Sequence, residues 1–230
     1  MLIGPQNLAA NVREVRSRVR RAAAAVGRDP AGITLVAISK TQPAESVRAA
    51  ATAGVTDFGE NYLQEASNKM EQLGDLPLRW HFIGAVQANK TRGIAARFDW
   101  VHSVDRLVIA QRLADQRPVH APPLNVCIQM NLADEPNKGG IGRAELAATA
   151  PRIAALPRIR LRGLMCLPPP QPDPAVQRRV FAQLRAALED LNDGGLKLDT
   201  LSMGMSGDFE AAIAEGATHI RIGTAVFGAR

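Results

Sequence analysis

Five lysines occur in the chain, and Lys40 stands out by its position. It directly follows the apolar, β-branched run Ile33–Ser39, which is typical of a parallel strand buried on both faces. In a (β/α)8 barrel the carboxyl ends of such strands face the active site. An amine at that place can attack a carbonyl carbon and form a Schiff base. The alternative for Lys40 is an ordinary lysine in a surface loop.

Two glycine-containing loops near the end of the sequence suit a phosphate. MGMSG (203–207) follows a short predicted strand, and Gly223-Thr224 follows the strand THIRI. Each loop is predicted to open a helix, whose first backbone N–H groups carry partial positive charge and bind anions. Glycines let the anion approach, and Ser206 and Thr224 add hydroxyl donors. The pair is typical of a barrel phosphate site after strands seven and eight; ordinary turn glycines are the alternative.

Arg221 adds a cation two residues before the second loop. Because strand side chains alternate, Arg221 is predicted to point into the barrel if Ile220 and Ile222 pack on the outer helices. A guanidinium does not give up its proton, so beside a pyridine nitrogen it keeps that nitrogen unprotonated. Together with Lys40 and a phosphate site, this favours pyridoxal 5'-phosphate (PLP) held as a Schiff base. A structural salt bridge with a barrel carboxylate is the alternative for Arg221.

Eight strand segments alternate with helical segments along the sequence and must position these residues. This alternation predicts an α/β fold, and eight units favour a closed (β/α)8 TIM barrel over an open doubly wound sheet. The helices include one predicted over residues 62–73, with Lys69 in its middle, and one over residues 85–98. Alternation continues past the proline-rich PPPQPDP, which is therefore interpreted as a loop. We expect one domain over residues 1–230.

Composition narrows the possible partners. The chain of 230 residues carries a net charge of +6, much of it from arginines on one face of the first predicted helix. We interpret that face as solvated and expect no nucleic-acid partner, because no recognised motif supports one. No apolar run approaches the ~20 residues of a membrane helix, and no signal peptide is recognisable, so a cytoplasmic location is expected. No cluster has metal-ligand spacing, and no metal is expected.

Several stretches match one protein family. They are AISKTQP, DFGENYLQE, HFIGAVQANK, HSVDR, GLMCLP and LSMGMSGDFEAAIAEGATHIRIGTAVFG. In these stretches the chain resembles the YggS/PROSC family of pyridoxal phosphate homeostasis proteins. The resemblance implies a barrel like the N-terminal domain of alanine racemase, the type III fold of PLP proteins, without a second β-domain.

The same resemblance assigns roles to individual residues. It implies that Lys40 is the PLP-linking lysine, Arg221 the partner of the pyridine nitrogen, and Asn61 a pocket residue. It places the phosphate site at Ser206, Gly207, Gly223 and Thr224. The chain departs from many relatives by having glycine at position 207 and phenylalanine at 209, where they carry an acidic residue and methionine.

Racemisation on PLP needs proton donors on both faces, and the sequence offers no strong second donor. Tyr62, the one tyrosine, begins a helix and is predicted to be a packing or rim residue, and His81 and His102 are predicted to be hydrogen-bonded core residues. The expected function is therefore PLP homeostasis, meaning buffering or delivery of PLP with effects on amino-acid balance and no established catalysis. By the resemblance we expect a monomer that can serve apo-PLP enzymes. A PLP-dependent racemase-type enzyme and a PLP-independent sugar-phosphate lyase remain alternatives.

Overall fold

Eight parallel strands form a closed barrel in which β1 to β8 follow one another in sequence order and β8 pairs with β1. The computed structural model describes residues 4–132 and 139–228. The predicted (β/α)8 barrel is confirmed. The strands are β1 (Thr34–Ile38), β2 (Asp57–Glu60), β3 (Arg79–Phe82), β4 (Trp100–Val104), β5 (Leu124–Met130), β6 (Ile159–Cys166), β7 (Thr200–Ser202) and β8 (His219–Ile222).

Helices cover the outside of the barrel. They are α1 (Pro5–Ala24), α2 (Ala44–Thr52), α3 (Leu63–Gln72), α4 (Thr91–Arg97), α5 (Leu107–Gln116), α6 (Arg143–Ala154), α7 (Pro174–Asp193), α8 (Phe209–Ala214) and α9 (Thr224–Phe227). Along the described part of the chain, none of them is long and apolar enough to cross a lipid bilayer.

The helix predicted over residues 85–98 is wrong in its first half, because α4 begins only at Thr91. Gly84 lies against the backbone of Asn61 so closely that a Cβ atom there would be 2.2 Å from the Asn61 carbonyl oxygen. The chain therefore leaves β3 along the barrel rim, where Val86 is buried, and turns before it can start a helix. The Thr91 hydroxyl closes this turn by donating to the Ala88 carbonyl at 2.9 Å.

The two faces of the strands bury different chemistry. The outer face packs against the helices in one large apolar cluster that includes Ile220 and Ile222. The inside of the barrel has a small apolar cluster of Trp100, Cys127 and Met165. Buried polar side chains fill much of the remaining interior, and they lead to the carboxyl ends of the strands, where the candidate site lies.

Candidate functional site

One cavity of about 590 Å³ opens at the carboxyl ends of the strands. It brings together all the site residues that the sequence indicated. These are Lys40, Asn61, Ser206, Gly207, Arg221, Gly223 and Thr224. Four apolar side chains complete the lining: Ile38, Ile83, Leu167 and Met205.

Lys40 lies in a tight turn that begins where β1 ends. The turn is closed by a hydrogen bond from the Gln42 amide to the Ser39 carbonyl at 2.9 Å, with Lys40 and Thr41 as its central residues. Thr41 has a φ of 64°. A left-handed conformation is unusual for a β-branched residue and is strained by ~1–2 kcal/mol. The turn therefore holds Thr41, the residue after Lys40, in a backbone geometry that a β-branched residue disfavours.

A buried lysine that the sequence analysis passed over lies behind this turn. The Lys69 ammonium donates to the Ser39 carbonyl at 2.6 Å and to the carboxylates of Glu60 at 2.7 Å and Glu65 at 2.6 Å. Glu65 also accepts from the Thr41 amide at 2.5 Å. We call Ser39, Glu60, Glu65 and Lys69 the Lys69 cluster. It contacts the residues on both sides of Lys40.

Charge inside the Lys69 cluster is only partly compensated. Burial raises the pKa of Glu60, and hydrogen bonds from Lys69 and Ser39 partly offset this effect. Glu60 Oε1 accepts from both of these groups, whereas Glu60 Oε2 is buried with no hydrogen-bond partner among the described residues. An unpaired buried carboxylate oxygen is costly. The cluster is thus a charged group of side chains maintained at a visible energetic cost.

The two glycine loops meet at the cavity, and the second of them lies beside the end of β1. The Ser206 hydroxyl accepts a hydrogen bond from the Ala225 amide at 3.3 Å, so the loop after β7 is tied to the loop after β8. A Cβ atom at Gly207 would have nothing within 4 Å, and one at Gly223 would be 3.6 Å from the Ile38 Cβ atom. The backbone of both loops is therefore open to an approaching group on the cavity side.

Asn61 follows β2 directly and lies at the edge of the cavity. Its Oδ1 atom is buried and has no hydrogen-bond partner among the described residues. A buried amide oxygen normally has a donor. Asn61 is thus ready to accept a hydrogen bond from a group in the cavity.

Arg221 confirms the orientation expected from strand alternation. Its side chain is buried inside the barrel, where Nη1 donates to the Ser202 hydroxyl and Nη2 to the Cys166 carbonyl, both at 2.7 Å. Within the described ranges it forms no ion pair, so the salt-bridge alternative is not what the structure has. The guanidinium is held by neutral acceptors and borders the cavity.

A hydrogen-bonded chain continues from Arg221 through the barrel interior. Ser202 Oγ is 2.7 Å from His102 Nδ1, and His102 Nε2 is 2.9 Å from His81 Nδ1. His81 Nε2 is 3.0 Å from Asp57 Oδ1 at the amino end of β2. We call Asp57, His81, His102, Ser202 and Arg221 the interior chain. It links the cavity to the opposite end of the barrel.

The two ends of the interior chain fix its protons. Arg221 can only donate, so Ser202 accepts from it and donates its own hydrogen to His102 Nδ1. Burial opposes ionisation of Asp57, but hydrogen bonds from His81, Arg79 and Thr56 outweigh it and lower the pKa of Asp57 well below its ordinary value. Asp57 is therefore a carboxylate and accepts from His81 Nε2. Each histidine then carries one proton, on Nε2.

Burial favours the same neutral state. It lowers the pKa of His81 and, together with the neighbouring charges, lowers the pKa of His102 well below its ordinary value. The ring of Trp100 stacks on His81 with centroids 5.7 Å apart. The prediction that His81 and His102 are hydrogen-bonded core residues is confirmed.

Tyr62 and two further lysines are not part of the cavity lining. Tyr62 precedes α3 and is 63% exposed, as a rim residue would be. Lys90 is exposed at the start of α4, and Lys197 is exposed between α7 and β7. Lys138 lies outside the described residues.

Comparison with known proteins gives consistent results. Residues 3–230 match the family model described as alanine racemase, N-terminal domain. The chain is 59% identical over 223 residues to the pyridoxal phosphate homeostasis protein of Pseudomonas aeruginosa, which covers 97% of this chain and 96% of that protein. The structure of PipY from Synechococcus elongatus with PLP bound has a TM-score of 0.85 and 38% identity, covering 96% of this chain and all of that one.

A more distant structure shows the shared fold alone. Alanine racemase from Corynebacterium glutamicum superposes with a TM-score of 0.71 at 17% identity, and the match covers 96% of this chain but 60% of the racemase.

Proposed function

We propose, from the premise that this chain belongs to the alanine racemase N-terminal domain family and to the pyridoxal phosphate homeostasis proteins within it, that it binds PLP and maintains PLP homeostasis. The observation that carries the proposal is one cavity whose lining includes an amine, residues of both glycine loops and a buried guanidinium. The PLP-bound relative PipY has the same fold at 38% identity.

Three features of the cavity fit PLP. Asn61 Oδ1 is a buried acceptor without a donor among the described residues, and the ring hydroxyl of PLP is a group that could donate to it. Gly207 and Gly223 leave space beside Ser206 and Thr224, where a phosphate needs close backbone approach. The apolar side chains of Ile38, Ile83, Leu167 and Met205 suit the faces and edges of an aromatic ring.

Each polar residue then has a defined task. When bound, PLP supplies an aldehyde that can be held covalently by an amine and a ring that can withdraw electrons. Lys40 would hold the aldehyde carbon as a Schiff base, and Ser206, Gly207, Gly223 and Thr224 would hold the phosphate. Arg221 would donate to the pyridine nitrogen and keep it unprotonated, which would make the ring a poor electron sink. That property suits a carrier of PLP or a racemase better than a transaminase, which usually has a carboxylate at this place.

The alternative of a racemase-type enzyme has no comparable support. It requires a second proton donor opposite Lys40. Tyr62 is exposed and absent from the cavity lining. Both ring nitrogens of His81 and of His102 are engaged in hydrogen bonds of the interior chain. Delivery to apo-PLP enzymes, a monomeric state and a cytoplasmic location belong to the same proposal and stay predictions.

Borohydride reduction tests the central assignment. The purified protein is mixed with PLP, reduced and digested, and the pyridoxyl-modified peptide is located by mass spectrometry. We expect the adduct at Lys40 and none in Lys40→Ala, whereas Lys197→Ala, which removes an exposed lysine, reacts as the unchanged protein does. An adduct that persists in Lys40→Ala would disprove the assignment.

A further inference from the structure

The turn that carries Lys40 is held from outside by α3. Lys69 Nζ bonds the Ser39 carbonyl, the last acceptor before Lys40, and Glu65 Oε1 accepts from the Thr41 amide, the first donor after it. Lys69 and Glu65 also bond each other at 2.6 Å, one helical turn apart. The two side chains therefore hydrogen-bond the backbone on both sides of Lys40, and neither of these bonds involves the Lys40 side chain.

These hydrogen bonds stabilise a conformation that the turn would not adopt by preference. Thr41 has a left-handed φ of 64°, although it is β-branched and its side chain is exposed. The bond from the Thr41 amide to Glu65 is available only while this peptide is turned toward α3. Strained backbone at a functional site persists where surrounding groups over-determine it.

Glu60 anchors the arrangement to the barrel. It accepts from Lys69 at 2.7 Å and from the Ser39 hydroxyl at 2.6 Å, and it directly precedes Asn61 of the cavity. Its other carboxylate oxygen is buried without a partner. A cluster kept solely for stability has little reason to bury an uncompensated oxygen, because apolar packing of the same volume is often as stable.

We infer that Lys69 and Glu65 are positioning residues that fix the direction in which the Lys40 amine enters the cavity, and so set the rate at which it forms a Schiff base with PLP. In that step the Lys40 nitrogen replaces the aldehyde oxygen of PLP, which leaves as water with the two amine hydrogens. This inference rests on the proposed function, because it takes Lys40 as the amine that reacts with PLP. Neither residue is part of the cavity lining. Both act through the backbone of Ser39 and Thr41.

The test separates the covalent step from binding in the cavity. PLP forms a Schiff base, whereas pyridoxine 5'-phosphate has the same ring and phosphate but no aldehyde. The rate of Schiff-base formation is measured by the growth of its visible absorption band after mixing, and the affinity for pyridoxine 5'-phosphate by titration. All variants are compared below their thermal midpoints.

Glu65 provides the decisive pair of variants because it is partly exposed. Glu65→Leu removes the acceptor for the Thr41 amide, and Glu65→Gln keeps an acceptor oxygen of the same length. We expect Glu65→Leu to slow Schiff-base formation about tenfold or more, as small misplacements of reacting groups do, with pyridoxine 5'-phosphate affinity within about twofold of the unchanged protein. Glu65→Gln should recover most of the rate, and Glu71→Gln, an exposed change on the same helix, should have the full rate.

Lys69→Met is a second test variant, and Lys197→Met is its control. We expect Lys69→Met to slow the covalent step at least as much as Glu65→Leu; if it does not fold, the Glu65 pair decides alone. Equal losses for both ligands, or an unchanged rate in Glu65→Leu, overturn the inference and leave the proposed function standing. No Schiff base in the unchanged protein overturns the proposed function itself.

Discussion

Two buried polar networks adjoin the cavity, one next to Arg221 and the other next to Lys40. They differ in charge and in how completely their polar atoms are paired. The interior chain behind Arg221 is linear, and every side-chain nitrogen and oxygen that joins it has at least one partner. The Lys69 cluster behind Lys40 is compact and charged, and one carboxylate oxygen in it has no partner among the described residues.

The difference follows from what each network must hold. Arg221 is a cation that has to remain inside a barrel, so neutral acceptors bind it directly, and the one carboxylate of the chain, Asp57, lies at the far end. Lys40 lies on a strained turn, and strong charge-assisted hydrogen bonds are needed to oppose that strain. A substitution in the interior chain is therefore expected to leave buried polar groups without hydrogen-bond partners. A substitution in the Lys69 cluster is expected to let the turn at Lys40 change its conformation.

Breaking the middle of the interior chain should have the largest effect on stability. His102→Leu leaves His81 Nδ1 and the Ser202 hydroxyl without the partners they now have. Buried polar groups that lose a partner cost ~1–3 kcal/mol each, so we expect the free energy of unfolding to fall by about 3 kcal/mol. Urea unfolding measures this. His120→Leu removes an exposed histidine and is the control; a loss of under ~1 kcal/mol for His102→Leu would contradict the assigned chain.

Acid should weaken the interior chain before it affects the Lys69 cluster. The folded-state pKa values of His81 and His102 lie below the ordinary value. His219, the first residue of β8, lies beside the chain with its ring centroid 5.8 Å from that of His102, and its pKa is lowered to about 3. In each case burial is the chief cause. Their neutral forms contribute stability above pH ~6.5, and this is lost as the pH falls because the unfolded chain takes up protons first.

The expected size of this effect is large for a single histidine. Between pH 7 and pH 5, His219 alone, with a folded-state pKa of about 3, accounts for about 2 kcal/mol of lost stability. Glu60 has the opposite sign, because its raised pKa contributes stability that is present at low pH and lost as the pH rises. Unfolding free energies measured across this range should fall with acid, and the fall should be shallower in His102→Leu. A flat profile would show that the histidines are not buried neutral.

The sequence predicted the parts of the site whose positions follow from local rules. Lys40 follows an apolar strand, Arg221 faces inward by strand alternation, and the glycine loops follow β7 and β8. Lys69 was missed because a lysine in mid-helix is normally solvated, and its partners Ser39 and Glu60 come from two other elements. The Glu65–Lys69 pair at four-residue spacing was the available signal, yet such pairs usually lie on helix surfaces.

The interior chain could be anticipated only residue by residue. Histidines in strands indicated hydrogen-bonded core positions, but their order depends on barrel closure. That closure brings His102 of β4 to Ser202 of β7, which is 100 residues away in sequence. The short α4 also depends on a distant contact, since Gly84 must pass the backbone of Asn61.

The smallest expected effect comes from relieving the strain that the Lys69 cluster opposes. Thr41→Gly replaces an exposed β-branched residue at a φ of 64° with the residue that adopts this region freely, so little packing is lost. We expect the free energy of unfolding to rise by about 1 kcal/mol, because the strain removed exceeds the extra flexibility gained by the unfolded chain. Thermal and urea unfolding measure this, with Thr52→Gly at the last residue of α2 expected to destabilise instead.

The double variant sharpens the comparison. If the cluster acts by opposing the strain at Thr41, then Glu65→Leu should slow Schiff-base formation less in the Thr41→Gly background than alone. An equal slowing in both backgrounds would mean that Glu65 acts on Lys40 by some route other than the turn.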